Sequence, residues 1–136
     1  NMADYWQHWL NTGQREGANL PKIYYVNWFR KNEQGKFVWP GFGENSRVLK
    51  WVFERCNGTA EAIETSIGNL PTLDALDTDG IDLSTDQIAQ LLKVDVEGWL
   101  NEIPLISEYF DQYGDRVPAE FREELAQLKH RLEAAR

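Results

Sequence analysis

Residues 22–56, KIYYVNWFRKNEQGKFVWPGFGENSRVLKWVFERC, decide how this chain folds. The run 22–29 is rich in Ile, Tyr, Val, Trp and Phe, side chains that fit a pleated surface and suit a helix poorly, so it is expected as a strand. Asn32, Glu33, Gln34 and Gly35 make a turn in which Gly35 is free to adopt positive φ. Phe37, Val38 and Trp39 then return as the second strand of an aromatic hairpin, and Pro40 stops them. Residues 41–46, GFGENS, form a tight turn that runs into a helix, with Asn45 or Ser46 placed to cap its exposed amides. Val48, Leu49, Val52, Phe53 and Cys56 recur at helical spacing and are expected to form its buried stripe, closed by Gly58. Cys56 has no partner for a disulfide and reads as a buried structural thiol.

Upstream, residues 2–11 read as a short helix with Tyr5, Trp6, Trp9 and Leu10 at helical spacing and Gly13 ending it. Downstream, residues 59–83 are mostly loop, with one short extended piece near residues 63–67. Ser84 and Gln87 have capping-box spacing and open a helix holding Ile88, Leu91 and Leu92. Asp95 caps the next, whose stripe is Val96, Trp99, Leu100, Ile103, Ile106, Phe110 and Tyr113. Pro104 lies inside that stripe and cannot donate to the carbonyl of Leu100, which predicts a kink or a break. Pro118 opens the last helix, with Phe121, Leu125, Leu128 and Leu132 on one face. The expected fold is α+β: an aromatic hairpin, a glycine turn launching a helix, and further helices packed around them.

At 136 residues the chain suits one compact domain, and 42% hydrophobic content separates it from disordered and membrane-spanning chains. Neither a membrane span nor a leader is expected, which points to a cytoplasmic location. A formal net charge of -8 argues against a general nucleic-acid binder. That mean hides a division. Residues 22–55 hold seven Lys and Arg against three acids, whereas residues 56–92 hold no Lys or Arg and seven acids. The basic half could draw an anionic ligand.

Phe29, Phe37 and Phe42 lie near successive ends of the hairpin and the following turn. If folding gathers them, three flat rings and the amide of Asn45 make a slot for a purine, rings on its faces and polar groups on its edge. Gly41 and Gly43 allow close backbone approach, and a helix amino terminus favours negative charge. The same residues also fit a plainer arrangement, three core phenylalanines and a helix cap. Residues 77–82, DTDGID, resemble a calcium loop only superficially, because Ala75 stands where the first aspartate is required and Asp86 where a glutamate is required. His8 and His130 have no ligand-spaced companions, and no nucleophile set or lysine-bearing phosphate loop occurs.

The segments 21–23 (PKI), 27–31 (NWFRK) and 35–49 (GKFVWPGFGENSRVL) together resemble the guanine-binding region of GTP-dependent phosphoenolpyruvate carboxykinases. The resemblance runs through essentially the entire chain: residues 5–10 (YWQHWL) look like the preceding helix, 65–68 (TSIG) like a Thr-Pro-Ile-Gly segment with Ser66 at the proline, and 114–118 (GDRVP) like a Gly-Asp-Arg-Leu-Pro turn. It implies that Phe29, Phe37 and Phe42 surround guanine, that Asn45 bonds the base edge, and that Gly43, Glu44 and the backbone of Trp28 complete the site. Residues 1–136 then form a carboxy-terminal portion of the nucleotide-binding domain, with guanine recognition at 27–49 and a helical tail at 84–136. Ser66 is expected to change local stiffness without touching base recognition.

The family is a lyase of gluconeogenesis that turns oxaloacetate and GTP into phosphoenolpyruvate, GDP and carbon dioxide. Its manganese or magnesium ligands, phosphate loop, oxaloacetate-binding arginine and lid are implied to lie upstream of Asn1. The expected partners are a guanine nucleotide and the rest of a parent polypeptide that is itself monomeric, with neither nucleic acid nor membrane. No catalytic residue and no metal ligand is expected in this chain, and by itself it is expected to be inactive. A free-standing, non-catalytic nucleotide-binding module is the alternative, separated from the first reading by extending the reading frame upstream.

Overall fold

Asn1 opens the first helix by accepting the Ala3 N–H on its side-chain oxygen at 2.9 Å, and α1 runs Met2–Gly13. The computed structural model describes all 136 residues. In chain order there follow α2 (Asn45–Cys56), the strands β1 (Ile63–Thr65) and β2 (Gly68–Leu70), α3 (Thr85–Leu92), α4 (Val96–Asp111) and α5 (Ala119–Ala134). Single 3-10 turns occupy Phe42–Glu44 and Gly114–Arg116. The class is α+β, as expected. None of the helices is long and apolar enough to cross a membrane.

The chain divides into two packed units, Asn1–Pro21 with Asp95–Arg136, and Lys22–Val94. The first is α1 with α4 and α5, and partly buried rings gather around Trp6. Phe121 stacks on Trp6 at 5.0 Å between centroids, and Tyr113 and Phe110 meet it edge-on at 4.9 and 5.9 Å. Ile103 of α4 and Leu132 of α5 are buried. Asp95 caps α4 by accepting the Gly98 N–H at 3.0 Å. Pro104 does not break α4, which is continuous from Val96 to Asp111. Losing one donor in a helix seated along α5 is tolerable.

The second unit carries the larger departure from expectation. Residues 22–29 form no strand, and the aromatic hairpin shrinks to one antiparallel bridge, Lys31 with Phe37. Period-two alternation nonetheless persists: Ile23, Tyr25, Asn27 and Phe29 are exposed, and Tyr24, Val26, Trp28 and Arg30 are partly covered. Tyr24 packs edge-on against Trp51 of α2 at 5.9 Å, and the Lys22 ammonium donates to the Arg55 carbonyl at the end of α2 at 2.8 Å. Tyr24 therefore packs on a helix, and no neighbouring strand supplies a ladder. The regular hairpin lies instead at 63–70, where Ile63 pairs with Leu70 and Thr65 with Gly68. Serine at position 66 falls in its two-residue loop.

Helix α2 also faces differently than its spacing suggests. Trp51 is its buried residue and donates its indole N–H to the Glu61 carbonyl at 3.1 Å. Leu49, Phe53 and Cys56, on the opposite side, are exposed, so Cys56 is not a buried thiol. The Cys56 sulfur lies 3.9 Å from the Tyr24 hydroxyl. Desolvation first, and this contact second, raise the Tyr24 pKa above its ordinary value. The apolar stripe of a helix marks what can be covered, whereas the indole's need for an acceptor chose the face that is covered. The expected capping box of α3 is present, with Ser84 accepting from the Gln87 N–H and Gln87 accepting from the Ser84 N–H.

Candidate functional site

The turn over residues 27–37 is built by two asparagines. Asn27 accepts the Phe29 N–H at 3.0 Å, and Asn32 accepts the N–H groups of Gln34 and Lys36, each at 3.0 Å. Gly35 closes the turn at φ 73, and the Val38 N–H donates to the Arg30 carbonyl at 2.9 Å. This geometry brings Phe29 and Phe37 together edge-on, 6.0 Å between centroids, with the Lys31 ammonium 5.2 Å over the Phe37 ring. Trp28, in the same turn, leans its ring toward Trp39 at 6.4 Å.

Gly41 then takes φ 126 and ψ -166, a region closed to side-chain-bearing residues, and turns the chain into the 3-10 segment Phe42–Glu44. Phe42 is 92% exposed and makes no ring contact with Phe29 or Phe37, which are 71% and 58% exposed. The fold thus pairs two of the three rings and presents all three outward. None of them is a core residue.

Asn45 is the first residue of α2, not its cap, and the Glu44 side chain at the cap position makes no capping bond either. The Asn45 oxygen Oδ1 instead accepts the indole N–H of Trp39 at 2.8 Å. Trp39 is 7% exposed, the indole behaving as a buried donor that must find an acceptor. Reading the sequence treated Trp39 only as a strand residue. The signal that identifies it is a tryptophan too large to stay exposed, one tight turn before a carboxamide.

Glu44 pairs with Arg47, and Arg47 also reaches Asp77, donating to its carbonyl at 2.9 Å. Lys50 binds the Asp77 carboxylate at 2.8 Å. The hydrogen bond to Glu44, aided by the charges of Glu44, Asp77 and Asp79 and opposed by desolvation, holds the Arg47 pKa above its ordinary value. The hydrogen bond to Asp77 raises Lys50, and the same bond is the largest cause lowering Asp77. Arg30 donates to the carbonyls of Leu91 and Lys93 at 3.0 and 2.8 Å, where it ties down the end of α3. Arg55 donates to the Ala60 carbonyl at 2.8 Å.

Most of the Lys and Arg side chains in residues 22–55 therefore fasten helices and loops. Asp77 is a partner of lysine and arginine, and no three His, Cys, Asp or Glu side chains stand close enough to hold a metal ion. Two shallow concavities line α4 and α5, around Pro104 and Leu125 and around Ile106 and Leu128. They are gaps in helix packing, away from the aromatic turn in sequence and unit.

The family described as "Phosphoenolpyruvate carboxykinase C-terminal P-loop domain" matches residues 1–131. A phosphoenolpyruvate carboxykinase (GTP) of Treponema pallidum (strain Nichols) is 48% identical over 134 residues, which is 97% of this chain and 22% of that relative. The corresponding proteins of Chlamydia trachomatis serovar D and Chlamydia pneumoniae are 47% and 45% identical over 133 residues, with the same coverage. The chain thus spans 22% of the length of these curated relatives. With nearly all of its length matched, the chain belongs to the family of phosphoenolpyruvate carboxykinase C-terminal P-loop domains.

Proposed function

We propose that residues 27–49 hold the guanine base of GTP within a phosphoenolpyruvate carboxykinase that converts oxaloacetate and GTP to phosphoenolpyruvate, GDP and carbon dioxide. The observation that carries this reading is the pairing of outward rings with one oriented carboxamide. Phe29, Phe37 and Phe42 offer ring faces to any purine, and Asn45 offers an edge contact. Guanine presents O6 as an acceptor where adenine presents an amino group, so an amide NH2 at that position suits guanine and leaves adenine with two facing donors. In this reading Gly43 and the backbones of Glu44 and Trp28 complete the site. The Glu44 carboxylate is taken up by Arg47, so its contribution falls to its main chain.

The chemistry of phosphoryl transfer needs cationic groups and a divalent metal around the moving phosphate. The side chains of this chain do not fit a manganese or magnesium site. The chemical step, its place in gluconeogenesis and the metal belong in this proposal to the remainder of the parent polypeptide, and the 136-residue chain alone is inactive.

The test compares Asn45→Ala with Phe37→Ala in the full-length enzyme, measuring kcat/KM with GTP and with ATP. Leaving a buried donor or acceptor unpaired costs about 1–3 kcal/mol, so Asn45→Ala is expected to lose most of the GTP preference. Phe37→Ala is expected to weaken both nucleotides by similar factors. An unchanged GTP:ATP ratio in Asn45→Ala assigns edge reading elsewhere and removes this role from Asn45.

A further inference from the structure

The bond between Trp39 and Asn45 joins two rigid pieces of backbone. Trp39 is buried beside Trp28 and is followed by Pro40 and by Gly41 at φ 126. Asn45 is fixed in helical geometry, φ -60 and ψ -27, at the start of α2. Its carboxamide is half-buried and has two ends of opposite character, an acceptor oxygen and a donor NH2. An amide free to rotate about its last torsion offers either end, and then it accepts from adenine as readily as it donates to guanine.

An indole N–H is a donor only. The atom of Asn45 that meets it at 2.8 Å must therefore be the oxygen, and the NH2 must point away from Trp39. Turning the amide over sets two donors against each other and leaves the N–H of a buried indole unpaired. The NH2 makes no hydrogen bond inside the chain, so it is the end of Asn45 left to meet a ligand.

We propose that Trp39 is a specificity-determining positioning residue: it fixes the amide of Asn45 so that only its donor end faces the purine edge. This rests on the base-reading role of Asn45 given above. Trp39 touches no ligand in this arrangement. It acts through Asn45, and its removal changes discrimination between purines more than affinity for either.

The experiment uses the full-length enzyme with Trp39→Phe, and in parallel with the benzothiophene isostere of tryptophan at position 39, which keeps the two-ring shape and lacks the N–H. The second variant separates loss of the donor from loss of volume. For each, and for Asn45→Ala and the double variant Trp39→Phe/Asn45→Ala, kcat/KM is measured with GTP and ATP, and dissociation constants with GDP and ADP. Both position-39 variants are expected to lower the guanine:adenine ratio by roughly fivefold or more, and the double variant to show no further loss beyond Asn45→Ala, as expected of two residues acting as one unit. A parental ratio in the isostere variant, alongside a collapsed ratio in Asn45→Ala, overturns the positioning role and leaves the base reading standing. A parental ratio in Asn45→Ala overturns the base reading, and this inference with it.

Discussion

In the unit made of α1, α4 and α5, the rings of Phe110, Tyr113 and Phe121 close around Trp6 within 6 Å. In the unit spanning Lys22–Val94, Phe29, Phe37 and Phe42 are turned outward, the last of them almost bare. Both sets are aromatic, yet one closes on itself and the other is turned to the surface. The difference lies in what surrounds the rings. Trp6 sits on a regular helix that meets two others, so its neighbours arrive at fixed helical spacing. Phe29 and Phe37 sit on a turn whose polar groups are satisfied by Asn27 and Asn32, and Phe42 on the 3-10 segment that follows Gly41.

The contrast breaks if the two sets of rings respond alike to truncation. Trp6→Ala removes the ring on which the first unit converges and is expected to cost about 3 kcal/mol in urea denaturation. Phe42→Ala, at an exposed position, is expected to stay within about 0.5 kcal/mol of the parent in the same measurement. A Phe42→Ala loss as large as that of Trp6→Ala makes Phe42 a core residue and ends its candidacy as a base contact.

A smaller effect sharpens the picture of the second unit, where polar contacts hold both ends of the short helix α3. Ser84→Ala removes the side-chain half of the capping box of α3, keeps the backbone N–H that donates to Gln87, and is expected to cost about 1 kcal/mol. Hydrogen exchange at the Gln87 amide is the direct check, since that N–H loses its acceptor; unchanged protection there shows that Arg30 alone holds α3.

The smallest effect is a pH dependence. Asp77 accepts from Lys50, and this bond, then the Asp79 N–H and the nearby positive charges, lower its pKa below the ordinary 3.8. A carboxyl depressed on folding contributes its stabilisation above the unfolded value and loses it as pH falls through the folded value. The tie between Asp77 and α2 is therefore expected to persist at pH 5 and to fail progressively below about pH 4. An NMR titration of Asp77 reads this directly, and Asp77→Asn should remove the acid-side change. A midpoint at or above the ordinary carboxylate value contradicts the pairing with Lys50.

The sequence by itself determined the elements whose causes are local. Helix α1 lies where its aromatic spacing and Gly13 mark it, and α3, α4 and α5 where Ser84, Asp95 and Pro118 do, because capping and helical periodicity act within a few residues. It also marked the aromatic turn and Asn45, through a string distinctive enough to carry a family. Tertiary structure decided the rest. Residues 22–29 have the alternation of a strand, but a strand exists only if another supplies its ladder, and here Tyr24 meets Trp51 of α2 instead. The face of α2 that is covered was chosen by Trp51 reaching Glu61, an acceptor ten residues away. The orientation of Asn45 was chosen by Trp39 across a turn. In each case a hydrogen-bonding or packing partner outside the local window settled the outcome, and propensity or spacing cannot see such partners.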